Sequence, residues 1–204
     1  MTRTFAWLAG AAVFLLIAGT AAYAVLLRPD NRFAQCGDTS VATGGQPLGG
    51  PFELTRHDGV RVTDTDVIDG LTLVYFGYTF CPDVCPIDTG RNADATALVV
   101  EQGVTVKPVL ISVDPGRDTP EVLADYTSWM HPRMVGLTGS EEEIADAARG
   151  YRAYYDVGSG EDYLVAHSTF TYLMAPEHGF LTFFNRDATT EEMAEKIACY
   201  DAVI

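Results

Sequence analysis

Cys81 and Cys85 stand four positions apart in the run Tyr75-Phe76-Gly77-Tyr78-Thr79-Phe80-Cys81-Pro82-Asp83-Val84-Cys85-Pro86. At helical spacing, side chains four apart share a face with Cβ atoms about 5 to 6 Å from one another, so both sulfurs can address one point. Two chemistries are open to such a pair. Two thiolates hold one soft metal ion, or the sulfurs close into a disulfide. An inert structural pair is the plain alternative, but a Pro-flanked loop directly after a core strand is a poor place for inert packing.

The surrounding elements must place the pair at a sheet edge. Leu71-Thr72-Leu73-Val74-Tyr75-Phe76 is a nearly continuous apolar run, as in a central strand buried on both faces. The cysteines follow at its C-terminal end, where open α/β sheets place their ligands, and the N-terminus of a following helix favours thiolate over thiol. At an unperturbed pKa near about 8.5 a thiol is only about 3% ionised at pH 7, so that bias matters to both chemistries. A helix is expected from Pro86 towards Gln102, and residues 106–113 supply a second buried strand. Thr119 with Pro120 caps and opens a helix to about Met130. Ser140 with Glu143, and Thr189 with Glu192, are capping-box pairs that open two more, the first reaching about Arg149. Residues 52–55 and 60–63 flank His57-Asp58-Gly59 as a hairpin, and residues 170–174 and 180–184 read as strands joined through Pro176-Glu177-His178-Gly179. The alternation specifies an α/β fold, a mixed sheet flanked by helices with an N-terminal hairpin.

The run at residues 75–86, then Asp114-Pro115-Gly116-Arg117-Asp118-Thr119-Pro120, then His167-Ser168-Thr169-Phe170-Thr171-Tyr172-Leu173, resemble in order and spacing the SCO/SenC family of membrane-anchored, thioredoxin-like copper proteins that serve cytochrome c oxidase assembly. The likeness extends from about Gly50 to the C-terminus. It implies a thioredoxin-like sheet and a metal site of Cys81, Cys85 and His167. On sequence alone a single histidine is more often structural; the match around His167-Ser168 and Tyr172-Leu173 is what makes it the third ligand. It is expected at the start of a strand running beside the cysteine strand. Soft thiolates select Cu(I), and added imidazole lets the same set accept Cu(II). Zinc would tolerate these ligands, so the preference for copper comes from the resemblance. So does the expected partner, subunit II of cytochrome c oxidase with its binuclear copper site; the residues do not specify the upstream copper donor.

Asp114 follows the second buried strand and is expected on the dithiol's edge of the sheet, either orienting a ligand or taking part in ordinary turn and cap chemistry with Arg117, Asp118 and Thr119. Asp83 and Asp88 are candidates for contacts behind the ligands. His57, His131 and His178 read as solvated turn or helix-end residues, His131 with a partial charge that complements a helix C-terminus.

The net charge of −15 disfavours nucleic acid and anionic lipid surfaces and suits a partner with a basic docking patch. No charged residue occurs from Phe5 to Leu27, a run long enough to span a hydrocarbon core of about 30 Å. Residues 1–27 are therefore read as a single transmembrane anchor, against the alternative of a cleaved signal peptide at Ala22-Tyr23-Ala24. Residues 28–50, rich in Gly, Thr, Ser and Pro, read as a flexible tether with a reach of about 25 Å, and residues 51–204 as the thioredoxin-like copper-binding domain. Flanking charges do not decide the orientation. The resemblance implies an exported domain, and four residues before the apolar run leave no room for a mitochondrial presequence, so the expected location is a bacterial inner membrane with the domain in the periplasm.

Cys36 and Cys199 are left over once the site is assigned, and a disulfide between them would fasten the tether to the last helix. The competing function is a periplasmic thiol-disulfide oxidoreductase that keeps the oxidase copper-site cysteines reduced through a redox-active Cys81–Cys85 dithiol. Such reductases usually carry Cys-x-x-Cys and a cis-proline, whereas here the spacer is one residue longer and His167-Ser168-Thr169 stands where a Pro-Thr pair is expected. A peroxiredoxin fits less well, because Tyr78 occupies the position of its usual threonine.

Overall fold

The computed structural model describes residues 14–20, 22–23, 32–37, 47–160 and 162–204. The chain divides into two compact units, residues 1–35 and 36–204. In the first, residues 14–20 are helical, and the Thr20 hydroxyl donates to the carbonyls of Leu16 and Ile17. Among the described residues no helix is long and apolar enough to cross a membrane. Most of the expected anchor, and residues 38–46 of the expected tether, lie outside the described residues.

The second unit is built on seven strands: β1 (Glu53–Arg56), β2 (Arg61–Thr63), β3 (Leu71–Gly77), β4 (Val106–Ser112), β5 (Val135–Thr138), β8 (Thr171–Ala175) and β9 (Gly179–Phe184), in the spatial order β2-β1-β5-β4-β3-β8-β9. β3, β4 and β5 run parallel, while β8 joins β3 antiparallel and the two edges are hairpins. A separate ribbon pairs β6 (Tyr155–Val157) with β7 (Val165–His167). Every residue of β3 is buried, as expected of a strand covered on both faces.

Alternation along β3 sends Tyr75 and Gly77 to one face and Val74 and Phe76 to the other. Helices α2 (Val84–Glu101), α3 (Pro120–Met130) and α5 (Thr190–Asp201) cover the Tyr75 face. There Leu123 of α3 lies over Gly136 of β5, close enough that a Cβ on that glycine would stand 3.0 Å away. Helix α4 (Glu141–Tyr151) covers the other face, where the Phe76 ring packs 5.3 Å from Tyr151 and 6.4 Å from Tyr172. Such aromatic pairs add about 0.5 to 1.5 kcal/mol each beyond their buried area. A short helix α1 (Asp64–Val67) follows β2.

Helix starts follow local chemistry. Thr119 caps α3 with Pro120 in its first turn, and Ser140 with Glu143 and Thr189 with Glu192 form complete capping boxes on α4 and α5. Thr63 with Asp66 does the same for α1. A disulfide joins Cys36 to Cys199 of α5 and closes a loop with a sequence separation of 163. β5 and the β6–β7 ribbon were not expected from the sequence, and α2 begins at Val84, ahead of Pro86.

Candidate metal centre

The loop leaving β3 places Cys81 over the N-terminus of α2. Asp83, in the cap position, makes no side-chain cap bond, and the Cys81 sulfur instead accepts from the Cys85 backbone N–H at 3.4 Å. A polarisable sulfur thus sits at the positive end of an 18-residue helix, where its ionised form is favoured. Burial opposes the Cys81 thiolate, but the N–H groups of Cys85 and Asp83, the Cys85 thiol and the Val84 N–H outweigh it and hold Cys81 below the ordinary thiol value. Burial pushes Cys85 well above that value, with the neighbouring Cys81 sulfur adding to the effect. The thiols are therefore unequal: Cys81, 9% exposed, is biased towards its thiolate, whereas Cys85 is fully enclosed and biased against it.

Cys85 fits against β3 because residue 77 has no side chain. A Cβ there would stand 3.1 Å from the Cys85 sulfur and 2.6 Å from Cε1 of Tyr75. On the far side, His167 closes β7 and brings its Nε2 to 3.2 Å from the Cys85 sulfur. It belongs to the β6–β7 ribbon and precedes β8, the strand that runs beside β3, so the sequence expectation of a strand-entry position in the main sheet is corrected to a ribbon end. The other ring nitrogen, Nδ1, lies 2.9 Å from the Ser168 carbonyl oxygen. A carbonyl only accepts, so Nδ1 carries the proton and Nε2 is left to face the sulfurs, the tautomer suited to ligation. The two sulfurs and one histidine nitrogen lie within 4.8 Å of one another, and among the described residues this is the one group of three donors placed to hold a metal ion.

The ring of His167 is held between two tyrosines. Tyr75 and Tyr78 stand edge-on to it at centroid distances of 5.9 and 5.8 Å, with interplanar angles of 85° and 86°. The Tyr78 hydroxyl accepts from the Val165 N–H at 3.2 Å, which ties the cysteine loop to β7. Neither tyrosine was singled out from the sequence, although the period-two pattern of β3 already places Tyr75 on the face of Gly77.

Asp114 lies on the predicted edge, buried. Its carboxylate accepts from Arg117 Nε at 2.5 Å and from the Tyr163 hydroxyl at 2.6 Å. The Arg117 guanidinium stacks 3.7 Å from the Tyr163 ring and 5.0 Å from that of Phe80. This cluster joins Tyr163, in the loop between β6 and β7, to Phe80 of the cysteine loop through Arg117. Asp118 accepts from the Thr79 N–H and hydroxyl and from the Ser112 hydroxyl, which is turn chemistry fixing the same loop. Asp83 is exposed and lines the cleft at the ligands, while Asp88 is buried and accepts from the Tyr75 hydroxyl at 3.0 Å. His57 Nδ1 accepts from the Gly136 N–H, and His131 Nδ1 from the Arg133 N–H. Burial lowers the pKa of His131, contrary to the charge expected for it at the end of α3.

Cys81 and His167 line an open cleft of about 480 Å³, together with Tyr78, Pro82, Asp83 and Leu164, whereas Cys85 is fully buried and does not line it. An incoming ligand therefore meets Cys81 and His167 first.

The SCO1/SenC family model matches residues 40–201. Protein SenC of Rhodobacter capsulatus is 48% identical over 201 residues, covering 98% of this chain and 90% of that protein. The chain spans 50% to 65% of the length of fission-yeast, plant and human relatives. The crystal structure of Arabidopsis thaliana ScoI with copper bound superposes with a TM-score of 0.72 at 43% identity, covering 75% of this chain and 98% of that one. Bradyrhizobium japonicum ScoI with copper bound gives 0.69 at 37% identity, covering 75% and 99%.

Proposed function

The chain belongs to the SCO1/SenC family, and we propose that it is a copper carrier for cytochrome c oxidase assembly, holding one copper ion on Cys81, Cys85 and His167 and delivering it to the binuclear copper site of subunit II. The observation that carries this reading is the convergence of two sulfurs and one imidazole nitrogen, with the second nitrogen committed to Ser168. Soft thiolates suit Cu(I), and the imidazole extends the set to Cu(II). Copper is favoured over zinc because two ScoI structures of this fold were solved with copper bound.

The cleft gives an order of exchange. A thiolate or imidazole from the partner enters beside Cys81 and His167, which line the opening, and displaces one of them while Cys85 keeps hold from behind. Cys85 then lets go last, so the ion passes between proteins without being released to water.

In the same reading, residues 1–27 anchor the chain in a bacterial inner membrane, residues 28–50 form the tether, and residues 51–204 work in the periplasm. The charge-free run from Phe5 to Leu27 supports the anchor, and the Cys36–Cys199 disulfide suits an oxidising compartment.

One observation favours a second reading, thiol-disulfide exchange on the oxidase copper-site cysteines: Cys81, lining the cleft and biased towards thiolate, backed by the enclosed Cys85, has the order of an attacking and a resolving thiol. Oxidase assembly at low copper separates the two. A strain carrying His167→Ala is expected to assemble as little active oxidase as one carrying Cys81→Ala with Cys85→Ala, at normal variant abundance. Full activity in the histidine variant beside failure of the double cysteine variant would assign the protein to thiol exchange instead.

A further inference from the structure

Three elements meet at the metal centre, and Tyr75 touches all of them. It belongs to β3, its ring edge lies against His167 of β7, and its hydroxyl donates to Asp88 of α2 at 3.0 Å. Asp88 follows Cys85 by three residues and so shares its helix face, and Arg91, three further on, carries the stripe to the domain's edge. There Arg91 Nη2 stands 3.0 Å from Asp88 Oδ1, and Arg91 Nη1 donates to the Arg186 carbonyl at 2.8 Å. Asp88 is wholly buried and Arg91 nearly so. A buried ion pair is weak evidence of a stabilising role, because desolvating both charges offsets their attraction. Here the pair presents a charged acceptor to one hydroxyl in the core. The hole at Gly77 completes the arrangement, since the Tyr75 ring and the Cys85 sulfur fill the space its missing side chain leaves.

We propose that Tyr75 is a positioning residue for bound copper: anchored on Asp88, its ring fixes His167 against Cys85 and so sets how Nε2 and the sulfur face a common ion. Tyr78 stands edge-on to the same ring and ties the cysteine loop to β7 through Val165, whereas Tyr75 links the ring to Asp88 of α2. Two thiolates suffice for Cu(I), whereas Cu(II) needs the imidazole, so the anchor matters to Cu(II) above all.

This inference rests on the copper reading and is tested on the 204-residue chain with Cu(I) and Cu(II) as probes. Tyr75→Phe keeps the ring and removes the hydroxyl. It is expected to weaken Cu(II) binding about tenfold, the lower end of what outer contacts contribute at metal sites, and to shift the thiolate-to-copper absorption and the EPR hyperfine splitting, with Cu(I) affinity unchanged. Asp88→Asn leaves a neutral acceptor in place of a charged one and should shift the same spectra less. A wild-type chain that binds no copper overturns the copper reading and this one with it. Wild-type binding beside an unaltered Cu(II) spectrum and affinity in folded Tyr75→Phe overturns the role of Tyr75 alone. Should Tyr75→Phe fail to fold, Asp88→Asn is decisive, and an unaltered Cu(II) spectrum there overturns the proposal.

Discussion

Gly77 and Cys85 are packed so closely that a methyl group on the glycine would stand 3.1 Å from the cysteine sulfur. The same methyl would lie 2.6 Å from the Tyr75 ring, a separation real atoms do not tolerate. Gly77→Ala is expected to destabilise the domain by about 1 to 3 kcal/mol, the usual cost of overpacking a core, and to displace Cys85 from its position beside His167. Urea unfolding gives the first quantity and the Cu(II) absorption spectrum gives the second. A variant with wild-type stability and spectrum would show that the strand and helix are not in contact here.

The two thiols should differ sharply in reactivity with pH. Cys81 is held below the ordinary thiol value, so its thiolate fraction, and with it the alkylation rate, rises at lower pH than for a free cysteine near about 8.5. Cys85, raised by burial, should stay unlabelled over the same range. Mass spectrometry of the metal-free, reduced protein after timed iodoacetamide treatment reads both sites. Equal labelling of the pair, or a Cys81 midpoint above that of free cysteine, would contradict the asymmetry.

Tyr163→Phe removes the hydroxyl that donates to Asp114 at 2.6 Å and leaves the ring stacked on Arg117. A hydrogen bond to an ionised carboxylate is stronger than one between neutral groups. The loss should appear locally, as faster amide exchange in β6 and β7 with the main sheet unchanged. Uniform acceleration through β3 and β4 would mean that the ribbon is not an independently pinned unit.

The Cys36–Cys199 bond closes a loop with a separation of 163 residues, which the chain-entropy picture rates at about 5 kcal/mol. Cys199→Ser should lower the midpoint of chemical unfolding accordingly, and non-reducing peptide mapping of the wild-type protein should recover the cross-linked peptides. Alkylation of both cysteines under denaturing, non-reducing conditions would exclude the bond.

Features set by local chemistry were legible in the sequence. β3 announces itself as a nearly continuous apolar run and β4 by the buried core of Val109, Leu110 and Ile111, while α3, α4 and α5 show in the caps at Thr119, Ser140 and Thr189, because burial on both faces and orphan N–H groups act over a few residues. β5 and the β6–β7 ribbon escaped notice because strands of four and three residues carry little pattern of their own and exist through their partners. The start of α2 was misplaced for a chemical reason, since a sulfur from Cys81 does the work that an oxygen cap usually does. Asp83 and Asp88 could not be told apart from spacing alone; which one faces Tyr75 depends on how α2 rotates against β3.

Copper loading of the purified 204-residue chain tests most directly whether His167 acts together with both sulfurs. Under anaerobic conditions the wild-type protein should bind one Cu(I), and under oxidising titration one Cu(II) with a thiolate-to-copper absorption band. His167→Ala, which leaves Cys81 and Cys85 in place, should retain Cu(I) and lose most of its Cu(II) affinity together with that band. If His167→Ala binds Cu(II) with unchanged affinity and absorption, His167 is not a ligand and the three-residue site is wrong.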